Sequence, residues 1–391
     1  MNPFDLIQVN KLVLKKHHLT EDNKTNDIIQ ITEDLCGLHS TDLKTSYLAL
    51  FIRTRNFKKA DLEKELYINK TMGRIRGMRR TLFIQTKNMI PIVYAATFKL
   101  SEKTFRKYME YHKISLKDYQ EISNSIIKIL KGRELSASEI RKDLNSESNI
   151  PAIIQLMCNH GLLIRGRPIK DWKDRRNKYV LFSEQFPNIH LAEYNEKDAI
   201  KQLVERYVKS YGPVTESDIS WWTGLTKTQI RGTLNNIKNQ LIRIKISNLK
   251  GDFIISKSDI NQLKDTNNSE EKILNFLPEL DPYLMGYKER ERYIDSSNYN
   301  RVFDRSGNAT ATILIDGKII GVWDIEENPE PLVKFYIFNS IEINLKNELY
   351  DKAQKIGTFY LDKNVQIKEC NSMTPLTERT AGGFMTPLKN C

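Results

Sequence analysis

The sequence predicts an α+β chain of tandem winged helix-turn-helix domains followed by a C-terminal β-barrel. Three observations predict it. A three-helix run followed by a strand hairpin is readable from Glu196 to Ser256, the same order recurs between Asp118 and Phe182, and from about Asn275 the texture changes to alternating strands. At 391 residues, 40% apolar and 28% charged, the chain is long enough for two to four compact units with real cores.

The N-terminal third carries helices near residues 26–36, 44–53 and 58–66, then a β pair around "GRIRGMRRTLFIQT" with Arg74, Arg76, Arg79 and Arg80 inside seven residues. It reads as a first winged unit, 1–115. The second unit, 116–192, runs through "DYQEISNSIIKILKGRELSASEIRKDL", where Gly132 turns the chain and Ser136 caps the next helix, to "IPAIIQLMCNHGLLIRG". Its wing is "RGRPIKDWKDRRNKYVLF", whose Arg165, Arg167, Lys170, Lys173, Arg175, Arg176 and Lys178 surround Trp172. Such a hairpin either lies along phosphates with its ring wedged at a base step or covers a neighbouring domain with that ring. In the third unit, 193–262, Ile200, Leu203, Val204, Tyr207 and Val208 follow helical spacing, Tyr211-Gly212-Pro213 ends that helix, and Thr215 and Thr226 cap two more on either side of Gly224. "LIRIKI" and "DFIIS" supply its wing. Over 263–370, "ATATILIDGKIIGVWDI" is a hairpin by its Asp316-Gly317 turn and "PLVKFYIF" is a further strand, which gives a small β-barrel or an open sheet, the barrel being the expected form. Residues 371–391 repeat "MTPL" and read as a loose tail.

Charge narrows the partners. Lys and Arg number 61 against 49 Asp and Glu, a net +12 that favours polyanions. The four cysteines are far apart and form no C-x-x-C pair, so reduced thiols in a cytoplasmic protein are expected. No signal-peptide-like start and no apolar run of membrane-spanning length occur. A P-loop, G-x-G-x-x-G after a strand, H-E-x-x-H and G-x-S-x-G are also missing, so no metal, nucleotide or other cofactor is expected. The expected partner is double-stranded DNA, bound by a monomer.

One short motif could carry chemistry. "GLHSTD", Gly37 to Asp42, sets an imidazole, two hydroxyls and a carboxylate side by side. Locally, Ser40, Thr41 or Asp42 caps the helix containing Tyr47, Leu48 and Phe51. The alternative is that His39 and Thr41, two residues apart on extended backbone, face one side and hold a water between them. That suits cleavage of an N-glycosidic bond whose leaving base is already cationic, because such a base needs no general acid.

The chain resembles the AlkZ-like (YcaQ) DNA glycosylases over most of its length, through "GLHSTDLKTSYLAL", "GRIRGMRRTLFIQ", "RYVKSYGPVTESDISWWTGL", "LDPYLMGYKERERY" and "VFDRSGNATATILIDGKIIGVW" in that order. The resemblance implies tandem winged helices scaffolded by a C-terminal barrel around a channel for damaged duplex DNA, and hydrolytic removal of N-alkylated purines. Where the family carries Gln-x-Gln or Gln-x-Asp, this chain carries His39-Ser40-Thr41 and looks like an H-x-T branch. His39, Thr41 and Asp42 are then the expected catalytic residues. The hairpin around Trp172, together with Arg74, Arg76, Arg79, Arg80, Arg290 and Arg292, is the expected DNA-binding set. No lysine stands in the motif to form a Schiff base, so no lyase step is expected; the runner-up is a DNA-binding protein without hydrolysis.

Overall fold

The computed structural model describes residues 2–266 and 271–376, together with Leu388 and Cys391. The chain is mixed α+β, opening with α1 (Leu6–Lys16), whose N-cap is Asp5. α2 (Ile28–Asp34), α3 (Leu43–Phe51) and α4 (Lys59–Glu63) follow within a few residues of their predicted positions, with an unpredicted two-residue β1 (Leu38–His39) between the first two. β2 (Met72–Arg76) and β3 (Leu82–Thr86) form the expected antiparallel pair, and β3 also accepts β1, with His39 opposite Phe83.

The 22-residue α5 (Ile90–Tyr111) leads to α6 (Leu116–Leu130), the short β4 (Leu135–Ser136), α7 (Ala137–Leu144) and α8 (Ile150–Asn159). Ser115 and Ser136 close capping boxes with Asp118 and Glu139, which fixes where α6 and α7 begin. β5 (Leu163–Pro168) and β6 (Asn177–Leu181) flank the basic hairpin, and α9 (Phe182–Gln185) follows. Here the structure departs from two separate wings. Arg74 of β2 pairs with Arg165 of β5, so all six strands form one sheet in the order β1-β3-β2-β5-β6-β4. An edge strand left alone exposes unpaired backbone groups, and joining the two hairpins satisfies them.

α10 (Glu196–Tyr211), α11 (Glu216–Thr223) and α12 (Lys227–Asn236) stand where the sequence put them, capped by Asn195, Thr215 and Thr226, with Gly224 at φ +81° ending α11. β7 (Leu241–Ile244) and β8 (Phe253–Ser256) make their own two-stranded sheet. α13 (Asp259–Asp265) ends this part.

The C-terminal part corrects the barrel in favour of the open-sheet alternative. β9 (Leu274–Leu277), then α14 (Pro282–Met285) and α15 (Tyr299–Val302), precede β10 (Thr312–Ile315), β11 (Lys318–Glu326) and β12 (Leu332–Ile337). β13 (Gln366–Glu369) joins β12 in parallel after α16 (Ile343–Leu361). The order β13-β12-β11-β10-β9 leaves an open sheet with β9 and β13 at opposite edges. α16, absent from the sequence reading, lays Leu349, Ala353 and Ile356 against Phe276, Trp323, Val333 and Phe335; the apolar face is covered by a helix instead of by closure.

A large core joins α5, α10 and α11 to the segment after β9 through Tyr207, Tyr211, Trp222, Tyr283, Tyr287 and Tyr293. Cys370 and Cys391 are disulfide-bonded, which corrects the expectation of four reduced thiols; Cys36 and Cys158 are free. Their 21-residue separation in sequence carries no pairing signal, and only the fold brings them together. Most of the expected tail falls outside the described residues. Among the described residues no helix is long and apolar enough to cross a membrane, and no group of three or more metal-ligating side chains occurs.

Candidate active site

The "GLHSTD" motif lies on the edge of the six-stranded sheet, where β1 hands over to α3. Ser40 N donates to Leu82 O (2.8 Å), and the Ser46 hydroxyl donates to His39 O (2.8 Å), so the motif is tied to β3 on one side and α3 on the other. His39 is 5% exposed, its ring edge-on to Phe83 at 5.5 Å. Burial, aided by the Arg79 charge and opposed by Asp42, lowers its pKa to about 3, so the imidazole is neutral at any physiological pH. Its Nδ1 is buried without a hydrogen-bond partner. The strand stops at His39 and the chain bends at Thr41, which is exposed; strand alternation therefore does not place the two side chains on one face, as extended backbone would have.

Asp42 is the N-cap of α3, accepting from Lys44 N at 3.1 Å, as the local reading of the motif expected. It is also the centre of a charge cluster. Arg175, from the basic hairpin, donates through Nε and Nη2 to Asp42 Oδ2 at 3.0 and 2.9 Å, and Lys44 Nζ lies 3.3 Å from the same oxygen. Burial works against the Lys44 charge, but Tyr360, Asp42 and Glu279 outweigh it and its pKa is raised. Glu279, just after β9, belongs to this cluster and was not singled out in the sequence. Burial raises its pKa, with the Asp42 charge adding to the effect and Lys44 and Arg175 opposing it.

The expected DNA-binding residues divide sharply. Arg74, Arg290 and Arg292 are 3%, 5% and 3% exposed, which corrects their assignment to phosphate contacts. Arg74 donates to the Ser40 hydroxyl and carbonyl and to Asn177; Arg290 lies 3.7 Å from the Phe303 ring centre and donates to Gly307 O; Arg292 covers Tyr287 and donates to Pro213 O. Trp172 is corrected as well. Only 7% exposed, it packs against Tyr47 at 4.9 Å, Tyr360 at 5.3 Å and Phe359 at 6.1 Å, and is the covering ring of the second alternative, not a wedge.

Arg167, Lys170, Arg175 and Arg176 are exposed, while Lys173 and Lys178 are half-buried. Arg167 pairs with Glu134, Arg176 with Asp174 and Lys173 with Glu327, pairs that a phosphate can exchange at the surface. Arg76, Arg79 and Arg80 line a cleft of about 480 Å³ with Ser101, Thr104, Gln155 and Asn159, and no carboxylate lines it. Arg79 and Arg80 both sit at positive φ, +50° and +60°, in the tight turn between β2 and β3. The Arg79 guanidinium lies 4.0 Å from the Trp221 ring centre, and the Nε atoms of Arg76 and Arg79 are buried without partners. A groove with unpaired guanidinium donors and no acid suits an anion.

A family described as "DNA glycosylase AlkZ-like" matches residues 32–333, from α2 to β12. Among solved structures, the DNA glycosylase AlkZ of Streptomyces sahachiroi superposes with a TM-score of 0.77 at 15% identity, covering 94% of this chain and 100% of that one; at this identity the likeness is one of fold. No curated protein matches the chain.

Proposed function

The chain belongs to the AlkZ-like DNA glycosylase family, and from that premise we propose that it hydrolyses the N-glycosidic bond of cationic N7- or N3-substituted purines in duplex DNA, bulky adducts and interstrand crosslinks included. The observation that carries this reading is the neutral His39 imidazole with a buried, unpartnered Nδ1 at the open edge of the sheet. A neutral imidazole accepts a hydrogen bond from water, the Thr41 hydroxyl reaches that water across the bend at 41, and the Asp42 carboxylate faces the oxocarbenium-like sugar once DNA phosphates draw Arg175 away from it. The H-x-T trio thus takes the place of the family's carboxamide pair. No general acid is needed, because the glycosidic electrons leave on a base that is already positive.

The reaction stops at the abasic site. Lys44 is the amine next to Asp42, and it is held protonated in an ion pair, so it is not a Schiff-base nucleophile. The reading places winged-helix units over 1–115, 116–192 and 193–262 and the sheet domain over 263–370, with the protein acting as a monomer on damaged double-stranded DNA. Arg76, Arg79 and Arg80 in the cleft, and Arg167, Lys170, Lys173, Arg175, Arg176 and Lys178 on the hairpin, then meet phosphates.

A second reading, a winged-helix DNA-binding protein without hydrolysis, is favoured by the complete engagement of Asp42 in capping and pairing. Base release from a duplex with a single N7-methylguanine, revealed by alkaline strand cleavage, separates the two. The glycosylase reading expects release by the wild type, a drop of about 100-fold or more in the His39→Ala, Thr41→Ala variant, and nearly unchanged DNA affinity. Absence of release from this lesion and from a bulkier N7 adduct would leave the binding protein.

A further inference from the structure

On the far side of Asp42 the first turn of α3 borders a second cavity, of about 160 Å³, between α3, the stretch after β9, β11 and α16. Its apolar and aromatic walls come from Leu48, Trp323 and Tyr360, and its polar groups from Thr45, Glu279 and Asp324. The Trp323 ring is fixed, its Nε1 donating to Leu277 O and Thr312 O at 2.9 and 3.1 Å. Two features point to a ligand. Thr45 is 1% exposed and its Oγ1 has no hydrogen-bond partner, a buried polar atom that a ligand group would satisfy. The polar groups, moreover, are two carboxyls beside aromatic rings, the surroundings that stabilise a flat, delocalised cation. Lys44 also lines the cavity, its ammonium turned to Asp42 at 3.3 Å; Asp42, Glu279 and Asp324 together face the two cations Lys44 and Arg175.

We propose that this cavity is a cation-selective base pocket, which receives a purine with a small N-alkyl group rotated out of the duplex and holds it between the aromatic wall and the Glu279 and Asp324 carboxyls, whereas a crosslinked base is cleaved without entering it. The inference rests on the glycosylase reading and deepens it by naming where the damaged base goes. An N7-alkylated purine is positive only while the glycosidic bond is intact. On hydrolysis the bonding pair passes to the ring nitrogen and the base becomes neutral, so the pocket holds substrate and releases product. An unmodified guanine is excluded by the same difference.

The test is equilibrium binding of two nucleosides to the full chain, 7-methylguanosine, which is cationic, and guanosine, which is neutral, followed by calorimetry and tryptophan fluorescence. The pocket expects saturable binding of 7-methylguanosine at least about tenfold tighter than guanosine, weakened about tenfold in Glu279→Gln and several-fold in Thr45→Val. Salt-dependent binding of undamaged duplex serves as the folding control for both variants. Equal binding of the two nucleosides, or none at millimolar concentration, overturns the pocket, as does unchanged selectivity in a folded Glu279→Gln. Base release from N7-methylguanine DNA is measured on the same preparations. Release without nucleoside selectivity removes the pocket and keeps the glycosylase, whereas selectivity without release keeps the pocket and removes the hydrolysis.

Discussion

Two aspartates in this molecule do the same local job in opposite surroundings. Asp281 caps α14 by accepting from Tyr283 N at 2.9 Å, and Asp42 caps α3 by accepting from Lys44 N at 3.1 Å; each is also gripped by an arginine far away in sequence. Arg53 holds Asp281 with two nitrogens on two oxygens, at 2.8 and 2.7 Å, and donates to His17 O and Ala49 O as well. Both partners are wholly buried. Arg175 holds Asp42 through one oxygen only, and its side chain remains 44% exposed. The two buried histidines divide the same way. His17 is pushed well below its usual pKa among Tyr211 and Tyr283 and touches no solvent, while His39, equally neutral, sits at the margin of a sheet edge beside an exposed Thr41. Burial and a depressed pKa therefore do not make a site. What distinguishes the Asp42 end is that its arginine partner and the neighbouring Thr41 reach solvent, whereas both partners of the Asp281 pair are sealed.

The largest effect expected from this contrast is at the sealed end. Arg53→Ala strands the Asp281 charge in the core and should cost about 3–5 kcal/mol in denaturant unfolding, whatever it does to DNA. A near-neutral result would mean that the interior there is wet. Trp172→Ala, at the packed base of the hairpin, should lose about 3 kcal/mol by cavity formation. Weaker DNA binding with unchanged stability would return the ring to the role of a wedge. Arg175→Ala should change stability by less than about 1 kcal/mol, because the Arg175 side chain is half in solvent and Lys44 still pairs with the buried Asp42, while reducing the salt slope of DNA binding by about one. A large stability loss would make the two arginine pairs equivalent and erase the contrast.

The smallest expected effect is a flat line. The His39 pKa of about 3 leaves base release without an inflection near pH 6.5, and a step there in kcat/KM would show an exposed imidazole. The same group has a thermodynamic signature. The unfolded imidazole takes a proton near pH 6.5 and the native one only near 3, so its contribution to stability is complete above 6.5 and is lost as pH falls toward 3.

The third helical unit was legible nearly residue by residue, because its caps and its hairpin are local. Thr215, Gly224 and Thr226 each act within four residues of themselves. The first two units were legible as elements but not as an assembly, since the Arg74 to Arg165 pairing spans 91 positions with no signature at either end. The site was half legible. Asp42 as a cap and His39 as a candidate follow from six consecutive letters, whereas Glu279 reaches the same cluster through β9 and looks in sequence like any other glutamate before a turn.

The basic residues mark the boundary most clearly. Sequence alone determined how much positive charge the chain carries and on which segments, because charge is a property of composition. It could not determine which arginines meet solvent. Arg74, Arg290 and Arg292 entered the interior because backbone carbonyls, hydroxyls and aromatic faces from distant segments converged to satisfy them, and Arg76, Arg79 and Arg80 did not because the turn between β2 and β3 directs them into an acid-free cleft. Helix starts and the spacing of apolar residues are set by atoms a few residues apart, and so they are written in the chain. The open sheet under α16, the Asp281 pair sealed on both sides and the Asp42 pair whose arginine stays half in solvent were decided only by tertiary structure, because each depends on which remote surface removes water from it.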